Sequence, residues 1–501
     1  MTLGRTKAEA LVKDVLAPKA VAEVLKDLTS PLPFSIQTDA SNQGNRKMFP
    51  LAVQYFTPKD GVTNKMLDFV ENADESAAGI VALIEQSLDK FGLKLDQVTA
   101  FSADNTNVNY GIHNSVFTNL KKKHKYLLQG NCHAHILHNT VKYALDQLTV
   151  DVENVVLKIY GHFSMSAKRR ESLKEFCDFC DVQFQEILRH VTTRWLSLNP
   201  AIHRLMQTWS ALMSYFKSLG AECPKQLQSL LKLREDSTEE DGDIVEVYLL
   251  FCNNILSLFE EVVKKLESNE TTCVELYSVM DDFKEKLTQR RDEQFYGYLT
   301  KVKLQKLLPP DANRAVTEFT AFLNTAIGYV EKWFNFSEEN WLFSLQPLSL
   351  HNDKLTFTDL EKVAIKLNLV NKLNMDELYD ECTTVNRIHQ RLRGEDEWKS
   401  QGVAAKWMDI LKDANLPNMM SIISHIMSIP ASTGYVERIF SRMTHKWTDT
   451  RNRCSVELMR SELLVTLNFE HSCSEFHSMA VKDKELLNAA RSNRKYTWKK
   501  K

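Results

Sequence analysis

Apolar and polar positions recur with a helical period over residues 1–30, and Pro31 and Pro33 end that run. PFSIQTDAS follows, a short apolar stretch that ends in Asp39, and then FPLAVQYF over residues 49–56, bounded by Pro50 and Pro58. The polar, Gly-containing SNQGNRK between them predicts an antiparallel hairpin with Asp39 near its start. Residues 64–91 set Ile80, Leu83, Ile84, Ser87, Leu88 and Phe91 at helical spacing and read as helix. Val98 to Phe101 reads as a buried strand with Asp104 just past its end. A third strand is expected at Tyr126 to Gln129, with a helix from about residue 133.

The pattern then changes. From about 150 to about 425 the period is almost wholly helical, as in SLKEFCDFCDVQFQEIL, IVEVYLLFCNNILSLFEEVVKKL and NRAVTEFTAFLNTAIGYVEKWF. The acidic stretch 235–243 reads as an exposed loop within that block. Near the end, Pro430 closes one helix and Ser432 is the expected N-cap of the next, TGYVERIFSRM. That helix gathers Tyr435, Val436, Ile439, Phe440 and Met443 on an apolar face with Glu437 at its edge, and RNRCSVELMRSELLVTLNF forms another. The order predicts an α/β protein interrupted by a large all-α block. Its expected parts are an N-terminal helical segment over 1–30, a strand-bearing core over 31–150, helices over 151–425, core completion over 426–470 and a basic tail over 471–501.

Composition narrows the class only a little. With 43% hydrophobic and 26% charged residues, the 501-residue chain is ordinary for a globular protein. No stretch of membrane-spanning length is apolar, so no membrane partner is expected. The first residues lack the apolar core of a secretory leader. Nine scattered cysteines point to a reducing compartment. The net charge of −2 announces no nucleic-acid binder. Local runs matter more: Lys121, Lys122, Lys123, His124 and Lys125; Lys168, Arg169 and Arg170; and a tail from Arg491 to Lys501 with Tyr496 and Trp498. Each run is equally readable as a solvated surface.

Isolated aspartates past strand ends are usually turn residues, and that reading fits Asp39 and Asp104 taken singly. Cys132-x-x-His135 is a core pair or half of a zinc site, to which Cys177-x-x-Cys180 would have to add the other half.

Three separated segments carry a resemblance. TDASNQGNRKMFPLAVQYF, FSADNTNVNYG and IPASTGYVERIFSRM…RNR resemble, in order, the two Asp-bearing strand segments and the C-terminal signature of hAT-superfamily transposase-derived proteins. NCHAH and HVTTRWLSL are similar to that family's Cys-x-x-His and Thr-Arg-Trp stretches. The resemblance implies a ribonuclease-H-like mixed sheet with flanking helices, split by the helical insertion. It implies Asp39, Asp104 and Glu437 around two Mg2+ or Mn2+ ions, cutting DNA and transferring a 3′-hydroxyl. DNA contacts are implied for Cys132, His135, Arg194, Trp195, Lys121, Lys122, Lys123 and Arg438, although Trp195 also reads as a core residue and Arg438 as a partner for a structural acid. Self-association through the C-terminal region and a nuclear (or cytoplasmic) location are implied as well, with no small-molecule substrate. No Cys-x-x-Cys…His pattern of a BED-type finger precedes residue 130. The alternative function is a transposon-derived scaffold that dimerises without cutting.

Overall fold

The computed structural model describes residues 4–29, 32–191, 197–233, 243–268, 270–351, 354–412, 414–451 and 454–495. Arg194, Trp195, most of the acidic stretch and the end of the basic tail lie outside the described residues. The chain divides into two compact units, one of residues 1–134, 266–277 and 337–501, the other of 135–265 and 278–336.

The first unit is built on one mixed sheet of β1 (Phe34–Thr38), β2 (Ser41–Gln43), β3 (Arg46–Thr57), β4 (Gly61–Glu71), β5 (Val98–Ala103) and β6 (Leu128–Asn131). The order is β2-β3-β1-β5-β6, with β4 also on β3. β3 runs antiparallel to β1, β2 and β4, whereas β1, β5 and β6 are mutually parallel neighbours. Parallel neighbours need crossovers. Ala77–Lys90 lies on the path from the meander to β5, and Val116–Lys123 joins β5 to β6.

Residues 64–71 are strand, not the helix expected of them. The reason is burial on both faces. Leu51 pairs with Asp68 but Ala52 with Met66, so β4 carries an extra residue, Leu67, at a bulge. The apolar positions 66, 67, 69 and 70 then mimic helical spacing, and the helix begins only at Ala77, capped by Ser76 Oγ, which accepts from Gly79 N at 3.1 Å.

We label six helices: α1 (Ala17–Leu28), α2 (Ala77–Lys90), α3 (His133–Leu145, which continues into the second unit), α4 (Pro417–Met427), α5 (Gly434–Lys446) and α6 (Val456–Asn468). Alternation along β3 sends Leu51 and Val53 to one side and Met48 and Ala52 to the other. One side packs with Phe34, Ile36 and Phe101 against Ile80, Ile84 and Leu88 of α2. The other packs with Met66 and Phe69 against Val436, Ile439, Phe440 and Met443 of α5 and Met459, Leu463 and Leu464 of α6. Each such fully buried side chain contributes about 1.5–3 kcal/mol. The sheet thus lies between two helical layers.

Polar contacts fix the C-terminal helices against the sheet. Gln54 Nε2 donates to Met427 O at 3.0 Å, and Thr99 Oγ1 shares a 2.7 Å hydrogen bond with Ser428 Oγ. The Asn468 amide pairs with both backbone groups of Met66 at 2.9 Å, completing β4 as another strand would. Buried Asp68 accepts from Lys90 Nζ at 2.9 Å and from Arg460 Nε, which ties α2 to α6.

The second unit is helical. Ile244–Glu267 and Pro309–Trp333 bring Phe251 face to face with Phe319 at 4.0 Å, where the sequence period placed long helices. Here SLKEFCDFCDVQFQEIL departs from its expected helix. Ala167–Phe179 is helical, but Asp181 is left-handed (φ 53°) and Val182 N donates back to Cys177 O at 2.9 Å, a turn that closes the helix. Residues 182–190 are irregular.

Candidate metal centre

β1 and β5 are adjacent and parallel, with Gln37 opposite Ser102. Their next residues but one, Asp39 and Asp104, therefore leave the sheet side by side at the same end. Asp39 is half-buried and its Oδ1 accepts from Ala40 N at 2.7 Å. Asp104 is also half-buried and is held from its own loop: Oδ1 accepts from Asn109 Nδ2 at 2.5 Å and from Thr106 Oγ1 at 3.2 Å. The Tyr110 hydroxyl locks the loop by accepting from Ala103 N at 3.0 Å and reaching the Phe101 and Gly130 carbonyls.

Glu437 comes from the far end of the sequence. It is exposed in the first turn of α5, whose apolar face of Val436, Ile439, Phe440 and Met443 is buried on the sheet. The three residues before that helix are each pinned by a hydrogen bond. His133 Nδ1 meets Ala431 O at 3.3 Å, Ser432 Oγ donates to Leu266 O at 2.9 Å, and Thr433 N donates to Cys132 Sγ at 3.4 Å. Ser432 is not the N-cap expected from the sequence. The helix starts at Gly434 with Thr433 in the cap position, while the Ser432 hydroxyl donates to Leu266 O and accepts from Gly434 N at 3.3 Å. Cys132 is itself anchored, since its carbonyl accepts from Asn105 Nδ2 at 2.7 Å in the Asp104 loop. Burial pushes the His133 imidazole down to about 4, against two backbone hydrogen bonds that favour its charged form.

Asp39 and Glu437, both in the first unit, bring carboxylate oxygens within 4.8 Å of each other. Two carboxylate oxygens at such spacing fit a hard divalent cation of the Mg2+ or Mn2+ kind. Asp104 stands outside the 4.8 Å group. Of the expected site residues, then, the fold of the first unit brings Asp39 and Glu437 together and keeps Asp104 at the neighbouring strand end.

The other expected contact residues are placed as follows. Cys132 is 1% exposed, with its thiol engaged as above. Arg438 is exposed next to Glu437, its guanidinium 5.4 Å from the Tyr435 ring centroid. Lys121, Lys122 and Lys123 are exposed in the last turn of Val116–Lys123, where Lys123 pairs with Glu85 at 2.5 Å and Lys121 lies over Phe117 at 5.0 Å. Sequence reading missed His133, Asn109 and Tyr110. The first stands inside NCHAH next to Cys132, and the others stand inside ADNTNVNYG five and six residues past Asp104. No helix among the described residues is long and apolar enough to cross a membrane.

A family model described as the hAT family C-terminal dimerisation region matches residues 390–467, from the end of the helix Met375–Leu392 through most of α6. No curated protein matches the chain.

Proposed function

We propose that the chain, which carries a match to the hAT family C-terminal dimerisation region, is a hAT-superfamily, transposase-derived protein whose first unit is a ribonuclease-H-like core that cleaves and transfers DNA strands. The observation that carries this reading is the meeting of Asp39 and Glu437, from opposite ends of the sequence, within 4.8 Å. The sheet supports it, since an antiparallel meander continued by parallel strands puts Asp39 and Asp104 at adjacent ends. In this reading Asp39, Glu437 and Asp104 hold the metal. A bound divalent cation would lower the pKa of an attacking water and offset charge on the leaving oxygen. The chain's own part is positional. Asn109 and Thr106 aim Asp104, while Cys132 and His133 hold the start of α5 and so place Glu437. Arg438 would receive a phosphate oxygen, and Lys121 and Lys122 would lie along the backbone with sequence-independent, salt-sensitive affinity. Such a protein would act where DNA is, in the nucleus.

A second reading keeps the dimer and drops the chemistry. What favours it is that Asp104 is committed to Asn109 and Thr106 and stands outside the 4.8 Å group. A nuclease assay with manganese separates the two. Cleavage lost in Asp39→Ala, Asp104→Ala and Glu437→Ala supports the first reading. Wild-type protein that binds manganese but cuts nothing leaves the scaffold.

A further inference from the structure

The helices of the matched region spend their apolar faces on the chain itself. Among the described residues, none of the exposed large hydrophobic side chains falls between 390 and 467. A dimer formed here therefore does not rest on an exposed apolar face inside the region.

The helix Met375–Leu392 runs into the region at its C-terminal end. Its inner face is buried through Leu378, Glu381, Cys382, Val385, Asn386 and His389. Its outer face presents Asp376, Tyr379, Asp380, Thr383, Arg387 and Arg391, all exposed. At 100° per residue these six lie in one stripe roughly 120° wide. The charges are sorted by sign, acids in the first half and arginines in the second. Among the described residues none of the four has an ion-pair partner within the chain.

The sorting has a centre. Asp376 and Arg391, and likewise Asp380 and Arg387, are symmetric about the same point between Thr383 and Thr384. A second copy of the helix laid antiparallel across a two-fold axis there sets each acid opposite an arginine, giving four ion pairs. A parallel arrangement would oppose like charges. Tyr379, at 58% exposure the largest uncovered side chain on the stripe, would fall opposite the half-buried Ile388 of the second copy. Self-complementarity of this kind is what an isologous two-fold contact requires.

We propose that the outer stripe of Met375–Leu392 is the face on which a second copy of this chain docks, antiparallel and centred between Thr383 and Thr384. The proposal rests on the dimerisation match and is independent of whether the metal centre cuts DNA. Its test is sedimentation equilibrium of the full chain and of two charge-reversal variants, Arg387→Asp/Arg391→Asp and Asp376→Arg/Asp380→Arg, with far-UV circular dichroism to confirm folding. Each variant alone should self-associate at least about tenfold more weakly than wild type, more so at low salt. Mixed one to one, the two should recover a dimer, because the all-acidic stripe then meets the all-basic one. A wild-type dimer that both variants retain would place the interface elsewhere and overturn the assignment. A wild-type chain that stays monomeric would overturn the dimer itself.

Discussion

Residues 431–433 and residues 121–123 belong to the same unit and serve the same proposed chemistry, yet the fold treats them in opposite ways. The first stretch is held by a buried imidazole, a buried thiol and a hydroxyl, each bonded to backbone. The second stands in solvent on the last turn of a helix, with Glu85 and Phe117 as loose neighbours. The difference teaches which part of a site needs one geometry. A metal ligand misplaced by an ångström is no ligand. A lysine following a phosphate chain works anywhere within its reach, so it stays mobile and wet.

The sharpest way to break this comparison is to remove the ligands themselves. Glu437→Ala or Asp39→Ala should abolish manganese binding, by about 100-fold or more in affinity, as read by titration calorimetry. Glu437→Ala should leave the melting temperature without manganese nearly unchanged, because Glu437 is exposed. Retained manganese affinity in both variants would separate the 4.8 Å group from any metal.

A smaller loss is expected one layer back. His133→Ala removes the partner of the Ala431 carbonyl and opens a cavity next to it. It should destabilise the unit by about 1–3 kcal/mol. It should also weaken manganese binding by about tenfold, as changes in residues behind a ligand do. His133→Gln, which offers a donor of similar reach, should restore part of both. Loss of stability with unchanged metal affinity would make His133 a core residue and nothing more.

These residues also show how far the sequence could be read. Asp39, Asp104 and Glu437 were singled out by the resemblance of the segments around them, since an aspartate past a strand end alone reads as a turn residue and Glu437 alone as the edge of an amphipathic helix. The strands that precede the two aspartates were legible from short apolar runs bounded by turn residues. β4 was not, because a sheet covered on both faces loses its polar alternation and one bulge at Leu67 shifts the remainder. The end of the helix Ala167–Phe179 was hidden as well, since apolar spacing continued past a left-handed Asp181 that nothing in its residue type demanded. His133 was overlooked because the Cys-x-x-His spacing drew attention to its neighbours. Its contact is with Ala431, and only folding reveals a partner so distant in the chain.

Acid offers a milder test of the pinned stretch. His133 is depressed to about 4 and His425, on α4, to about 3, in both cases chiefly by burial. Unfolded chains protonate these rings near their ordinary 6.5, so between pH 6.5 and about 4 the unfolded state binds more protons than the folded one. Stability should therefore be full above pH 6.5 and fall as the pH drops through that window, flattening once His133 itself protonates. Thermal melts from pH 7 to pH 4 measure this, and His133→Gln should flatten the upper part of the curve. A melting temperature that holds steady across the window would remove the buried neutral imidazole from the account.

The exposed stretch should give the smallest effect of all. Lys121→Ala/Lys122→Ala/Lys123→Ala removes three solvated cations, one of them already paired with Glu85. Nothing buried is disturbed, so the melting temperature should move little. DNA affinity should drop only modestly at physiological salt. The diagnostic quantity is the slope of log K against log salt, which should become shallower by about 0.9 for each lysine that meets a phosphate on duplex DNA. Because Lys123 is shared with Glu85, a change nearer two contacts than three is expected. The change should also be the same for unrelated DNA sequences, since phosphates carry no sequence information. An unaltered slope would assign the run to ordinary solvated surface, and a change confined to one DNA sequence would contradict the loose, mobile role that separates this stretch from the pinned one.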